Sequence, residues 1–189
     1  EHPLLPLTLY NKYKGMCEPL LLNHTDNNFV GTIFRPATVC GYAPRMRLDL
    51  SVNILTFQAL RNQKITVFGG NQTRPNIHIL DMIRVYEHFL SNNHLESGCY
   101  NAGFENISIL DIANLVSKKI PSEIIISESN DPRSYRLSSE KLVKTGFEQL
   151  HTVEEAIDEM ILKYKEGELV DSPESYTVGW MKELNLQAE

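Results

Sequence analysis

Strand-like and helix-like stretches alternate along most of these 189 residues, and that alternation limits the fold more than any other feature. FVGTIFRPATVCG (29–41) is rich in β-branched and aromatic residues and closes on Gly41, so it reads as a buried strand running into a loop. A helix over 50–62, a short strand over 64–69, a turn-rich loop over 69–76 and a short strand over 77–79 are expected next. Asp81 is placed at the start of a helix reaching about Leu90, with Ile83, Tyr86 and Leu90 at helical spacing. CYNAG (99–103) reads as a buried strand end, Ser108 as the cap of a helix over 109–119, and 123–127 as a strand. Ser138 is expected to cap a helix over 139–145 that Gly146 ends. Thr152 caps a helix over 153–166, with Glu154 and Glu155 in its first turn, where negative charge suits the helix dipole. Elements in this order imply an α/β fold with mostly parallel strands. The tail after Gly167 is expected to run over the surface, with Trp180 and Met181 as anchors.

A chain of this length buries one good core, so one or two domains are expected. Its net charge of -6 argues against a nucleic-acid surface, which would need a basic face. No apolar run approaches the length of a membrane span and none reads as a signal peptide, so a cytoplasmic protein is expected. Cys17, Cys40 and Cys99 are odd in number and lack Cys-x-x-Cys spacing, which reads as reduced thiols. The six histidines share no helix face at ligand spacing, so no metal site is expected. Asn-x-Ser/Thr triplets begin at Asn23, Asn71 and Asn106 and carry little weight.

Residues 8–22 read as a helix interrupted by Pro19, with Thr8 as its cap. Tyr10, Lys14 and Glu18 then stand at i, i+4 and i+8 on one face. A tyrosine hydroxyl titrates near about 10 and is a poor base at neutral pH. An ammonium one turn away favours the phenolate, and it can also donate to ribose hydroxyls of a nicotinamide cofactor. Such a pair can take a proton from an alcohol while a hydride leaves for the cofactor. Taken alone, the same spacing also describes an ordinary surface pair.

Five segments in order resemble the extended short-chain dehydrogenase/reductases of the NAD-dependent epimerase/dehydratase family, which act on nucleotide sugars. YNKYKGMCE resembles the catalytic helix, and GTIFRPATVCGYAPRM the strand and loop after it, with Arg35, Val39 and Gly41 matching. Cys40 stands where that family usually has an aromatic, and Tyr42-Ala43-Pro44 displaces its proline. ITVFGGNQTRPNIHILDM resembles a hairpin of the substrate domain, YNAGFENISILDIA a late strand-helix unit, and DPRSYRLSSEKLVKTGF the segment before the last helix. The resemblance implies a partial Rossmann-type parallel sheet with a small α+β substrate subdomain. Residues 1–48 would carry the remaining dinucleotide-binding part, 49–80 and 104–167 most of the substrate subdomain, 81–103 a returning helix and strand, and 168–189 a tail. Tyr10 would be the catalytic base or acid and Lys14 its partner and ribose ligand. Pro36, Ala37 and Thr38 would line the nicotinamide of NAD or NADP, with NAD favoured. Asn53 would sit near the sugar or diphosphate, and Arg74 and Arg133 would pair with the diphosphate. Arg35 is read as an internal ion pair, His78 as a structural residue, Asp81 as a helix cap, and Arg45 and Arg47 as solvated. A homodimer is implied for the full-length enzyme.

That family's Gly-x-x-Gly-x-x-Gly turn, which holds the cofactor pyrophosphate, is not among the 189 residues. The Ser or Thr expected on a strand before the tyrosine has no counterpart either. The chain is therefore expected to be the C-terminal portion of such an enzyme, binding NAD weakly alone and turning over no nucleotide sugar. An incomplete product, one piece of a split enzyme and a remnant that no longer catalyses all fit. In each case the strands at 32–40 and 99–102 would have an open edge inviting aggregation or pairing. The alternative function is a non-catalytic scaffold that keeps the nucleotide-sugar pocket.

Overall fold

The computed structural model describes residues 4, 6, 8–92, 94–129 and 133–184. In chain order its elements are α1 (Leu9–Leu22), β1 (Thr32–Pro36), β2 (Thr38–Cys40), α2 (Ser51–Asn62), β3 (Lys64–Phe68), β4 (Thr73–His78) and α3 (Ile79–Ser91). They continue with β5 (Gly98–Ala102), β6 (Glu105–Ser108), α4 (Ile109–Lys119), β7 (Glu123–Ser127), α5 (Glu140–Val143), α6 (Val153–Lys165) and α7 (Thr177–Glu183). The α/β expectation holds. β1 pairs β5, β2 pairs β4 and β3 pairs β7, all parallel, while β4 and β6 are antiparallel.

Local chemistry explains most boundaries. The Thr8 hydroxyl accepts from the Asn11 amide and starts α1, which runs through Pro19 without the expected interruption. Thr152 and Glu155 form a reciprocal capping box at α6, satisfying two amides that the helix cannot. The Ser108 hydroxyl caps α4 by accepting from the Asp111 amide.

Several expectations are corrected. The stretch 29–41 is two strands: at Ala37 the chain leaves β5 and joins β4, and β1 is half-buried where a buried strand was expected. The strand expected over 77–79 is β4, which begins at Thr73. Pro75 and Asn76 read as turn formers, yet Asn76 is fully buried. β3 and β4 do not pair with each other, so Gly69 and Gly70 are a link between sheets and not the turn of a hairpin. α3 starts at Ile79, capped by His78 and not by Asp81. Its buried positions are Asp81, Met82 and Val85, whereas Ile83, Tyr86 and Leu90 face outward. β6 was not foreseen. α5 is one short turn with Ser139 as its cap residue, because the Ser139 hydroxyl is spent on both polar backbone atoms of Gly103. The described part of the tail ends in α7 and is held by buried Leu169 and half-buried Tyr176, which pack with Met46 and Leu48, while Met181 is exposed.

The main apolar core lies between α2, α4, α6 and β3, with Ile65, Val67, Ile112, Val116 and Ile157 fully buried. A second cluster, Ile77, Met82, Val85, Ala102 and Phe147, fills the space where β4, α3 and β5 meet. Each such side chain is worth about 1.5–3 kcal/mol on burial, which fixes the sheets that carry the site.

Candidate functional site

α1 lies against β1 in the opposite direction. Near its end, Leu21 and Thr25 pack beside Gly31, and one turn earlier Glu18 holds Arg35. Moving toward the start of α1 therefore means moving toward the carboxyl end of β1. At 1.5 Å per residue, Lys14 and Tyr10 stand about 6 and 12 Å beyond Glu18 in that direction. In open α/β sheets, ligands bind outside the carboxyl ends of the strands. The Lys14 Nζ lies 5.5 Å from the centre of the Tyr10 ring, on the same flank of the helix, and Tyr10 is 69% exposed.

Arg35 is the internal ion pair read from the sequence. Its Nε donates to Glu18 Oε1 at 2.9 Å and its Nη2 to Oε2 at 2.6 Å. The guanidinium holds the Glu18 carboxyl below its ordinary range. The Cys99 thiol donates to the same carboxylate at 3.5 Å, and burial pushes that thiol up. All three cysteines are free, and burial pushes buried Cys40 up to about 12, so its thiol is inert.

Pro36, Ala37 and Thr38 form the crossover between the two sheets. Pro36 is exposed, Ala37 is buried and Thr38 is half-buried. The Ala37 amide donates to the Ala102 carbonyl at 2.8 Å. A Cβ on Gly103 would sit 2.4 Å from the Ala37 Cβ, so only glycine lets β5 end against this crossover.

On the far side of the crossover, the start of β4 carries Arg74. Its Nη1 donates to the carbonyls of Thr73 and Arg133, and its Cζ lies 5.4 Å from the centre of the Tyr135 ring. The segment from Arg133 to Ser139 is laid along β4 and β6 by Asn106, which exchanges two hydrogen bonds with the backbone of Leu137. The Thr73 amide donates to Ser134 Oγ at 3.1 Å. Arg74 and exposed Arg133 are thus brought together. Asp131 and Pro132 of the same resembling segment lie outside the described residues. Tyr135 was not singled out in the sequence, where one more loop aromatic gives no signal.

Asn53 is 3% exposed; its Oδ1 accepts from the Gly41 amide at 3.2 Å and its Nδ2 donates to the Arg47 carbonyl at 2.9 Å. Both ends of the amide clamp the loop after β2, with one Nδ2 hydrogen and one Oδ1 lone pair left over. Arg47 pairs with Asp49 at 2.7 Å and is not solvated alone, and Arg45 donates to the Thr177 hydroxyl at 3.3 Å.

A buried polar cluster at the carboxyl ends of β2 and β4 was only partly foreseen. His78 is structural, as read: its Nδ1 accepts from the Leu80 amide at 3.1 Å, and its Nε2 lies 3.6 Å from Glu159 Oε2. That carboxylate also accepts from the Tyr42 amide at 3.0 Å. Gly41 fits beside them with φ of +104°, where a Cβ would be 3.1 Å from Glu159 Oε2. The His151 ring lies tilted by 33° with its centroid 5.1 Å away, and the charges of Asp81 and Glu155 act on His78 from a greater distance. Burial lowers the His78 pKa, opposed by Glu159. The cap also needs Nδ1 unprotonated. A base lowered on folding adds stability that is complete above its unfolded value of about 6.5 and lost as pH falls through the folded value. Protection against hydrogen exchange at the start of α3, taken relative to the intrinsic rate at each pH, should therefore fall below about pH 6.5, and His78→Asn, which keeps an acceptor without a titrating ring, should remove that step. An unchanged step in the variant would reject this assignment.

Among the described residues no cluster of His, Cys, Asp or Glu could hold a metal ion, and no helix is long and apolar enough to cross a membrane. The fold and the strand-end site define an α/β protein of Rossmann type. Residues 1–103 match the NAD dependent epimerase/dehydratase family, and the chain belongs to that family. Among solved structures, it resembles dTDP-glucose 4,6-dehydratase from Bacillus anthracis in complex with NAD, at 18% identity and a TM-score of 0.73, over 94% of this chain and 56% of that one. It also resembles UDP-glucuronic acid 4-epimerase from Bacillus cereus in complex with UDP-glucuronic acid and NAD, at 24% identity and a TM-score of 0.69, over 86% of this chain and 55% of that one. Helicobacter pylori ADP-L-glycero-D-manno-heptose-6-epimerase aligns with a TM-score of 0.73 at 19% identity, over 87% of this chain and 55% of that one. At these identities the likeness establishes the fold. The chain spans little more than half the length of the structures it matches.

Proposed function

We propose that this chain carries the proton-transfer and sugar-side residues of an NAD(P)-dependent nucleotide-sugar epimerase or dehydratase. The observation that carries this is the placement of Tyr10 and Lys14 on one flank of α1, beyond the carboxyl end of β1. Tyr10 Oη would take the proton from a sugar hydroxyl, and the Lys14 ammonium beside its ring would donate to ribose. The crossover at Pro36–Thr38, exposed at Pro36, and the close approach of Gly103 to Ala37 fit the nicotinamide end of the cofactor. NAD, when bound, supplies the hydride acceptor. The pyrophosphate clamp has no counterpart here, because no Gly-x-x-Gly-x-x-Gly run is present. Asn53 would hold the loop after β2 near the sugar or diphosphate. The unit formed by 49–80 and 104–167 would present Arg74 and Arg133 to the diphosphate, and a homodimer would form through α1.

A second reading is a nucleotide-sugar-binding scaffold without catalysis, which would rest on Arg74 and Arg133 alone. Titration with UDP tests the shared part of both readings. Arg74→Ala should weaken binding by roughly tenfold or more, as expected for loss of a charge-assisted hydrogen bond, while Tyr10→Phe should leave it unchanged. Equal UDP affinity in Arg74→Ala would reject the diphosphate assignment. Turnover that depends on Tyr10 then separates enzyme from scaffold.

A further inference from the structure

The geometry points to Glu18 and Arg35 as positioning residues that set the rotation and axial register of α1, and so aim Tyr10 and Lys14. This deepens the reading of Tyr10 as the base and rests on it. α1 has no fully buried residue, and Leu9, Tyr13, Met16 and Leu20 all face solvent. A helix of 14 residues is marginal in water without a packed face. Its described ties to the sheet lie at one end: Leu21 and Thr25 beside Gly31, and the Glu18–Arg35 pair.

The pair is the strongest of these ties. Two parallel N–H to O bonds lock a planar guanidinium against a planar carboxylate, so the contact fixes direction as well as distance. The two side chains are 21% and 14% exposed, so water competes weakly. Cys99, from β5, donates to the same carboxylate, which ties α1 to both strands of the sheet. Residues at i and i+4 on a helix differ by about 40° in heading. With Glu18 held on Arg35, Lys14 and Tyr10 are turned progressively around the same flank. A slip of one residue at Glu18 would swing Tyr10 by about 100°, away from the end of β1.

The test uses the 189-residue chain and the variants Glu18→Gln, Arg35→Gln and the double exchange Glu18→Arg with Arg35→Glu. Hydrogen exchange of the α1 amides should quicken by roughly tenfold in each single variant, as expected for loss of a charge-assisted pair, and slow again in the double exchange. The ring resonance of Tyr10, two turns from the substitution, should move toward its free-peptide position in Glu18→Gln and return in the double exchange. Exchange in the core helix α4 should stay as in wild type. A Tyr10 resonance that does not move in Glu18→Gln, or is not restored by the double exchange, would overturn the positioning role. These readouts need no turnover. Tyr10 as a base is tested separately by the turnover of Tyr10→Phe, so failure of that reading and failure of the aiming of the helix are told apart, the aiming being decided by exchange and resonance alone.

Discussion

Tyr10→Phe, in an enzyme that joins this chain to a pyrophosphate-binding half and is supplied with NAD, should lower kcat by about 10²–10⁴, the range that a positioned acid or base contributes. The substitution removes one oxygen and keeps the ring beneath the Lys14 ammonium, 5.5 Å from its centre. Because Tyr10 projects from an exposed face of α1, the change should leave the fold and its stability alone. Nucleotide binding should also persist, since Arg74 and Arg133 stand on other elements. Steady-state kinetics should thus show a fall in kcat with little change in KM, the signature of an interaction made in the transition state. A variant with wild-type kcat would remove Tyr10 from the chemistry.

The largest effect on stability should come from Asp81→Ala. The Asp81 carboxylate is buried at the first turn of α3 and accepts from the amides of Leu150 and His151 and from Arg84. Truncation leaves two backbone donors without their acceptor and takes the carboxylate from Arg84, which keeps the Glu148 carbonyl. Breaking a buried pair by removing one partner costs about 3–5 kcal/mol. For a domain of this size that lowers the melting temperature by roughly 6–20 °C. Asp81→Asn keeps an acceptor and should cost less. If thermal unfolding of Asp81→Ala matched wild type, the link between α3 and the segment before α6 would be unimportant to the fold.

Asp81 also shows where sequence reading stops. An acidic residue in a first turn reads as a helix cap, but the amides it serves lie about seventy residues further on, and no local spacing reports that. The same holds for Asn53, whose partners at Gly41 and Arg47 are on the preceding loop. The resemblance places it near the sugar or diphosphate, while the fold adds a second task, clamping that loop. β4 was shortened because Pro75 and Asn76 favour turns, and tertiary pairing with both β2 and β6 overrode them. α3 was turned the wrong way because Ile83, Tyr86 and Leu90 repeat at helical spacing as well as Met82 and Val85 do. What could be read was carried by local rules. Thr8, Ser108 and Thr152 cap their helices through short-range hydrogen bonds. The Tyr10–Lys14 spacing survives because a helix places such residues together whatever surrounds it, and the Arg35–Glu18 pair was legible only in part, since its partner had to come from the fold.

The most direct measurement of the central claim is a single turnover with a nucleotide sugar that carries deuterium on the carbon bearing the reacting hydroxyl, run with this chain joined to a pyrophosphate-binding half, as the Tyr10 protein and as Tyr10→Phe. Label should pass to the cofactor, with absorbance of reduced NAD, in the Tyr10 protein, and the rate of its appearance should fall by about 10²–10⁴ in the variant. Product formed while the label never leaves the sugar, or label transferred equally fast without the phenol, would contradict a proton-taking Tyr10 at the carboxyl end of β1.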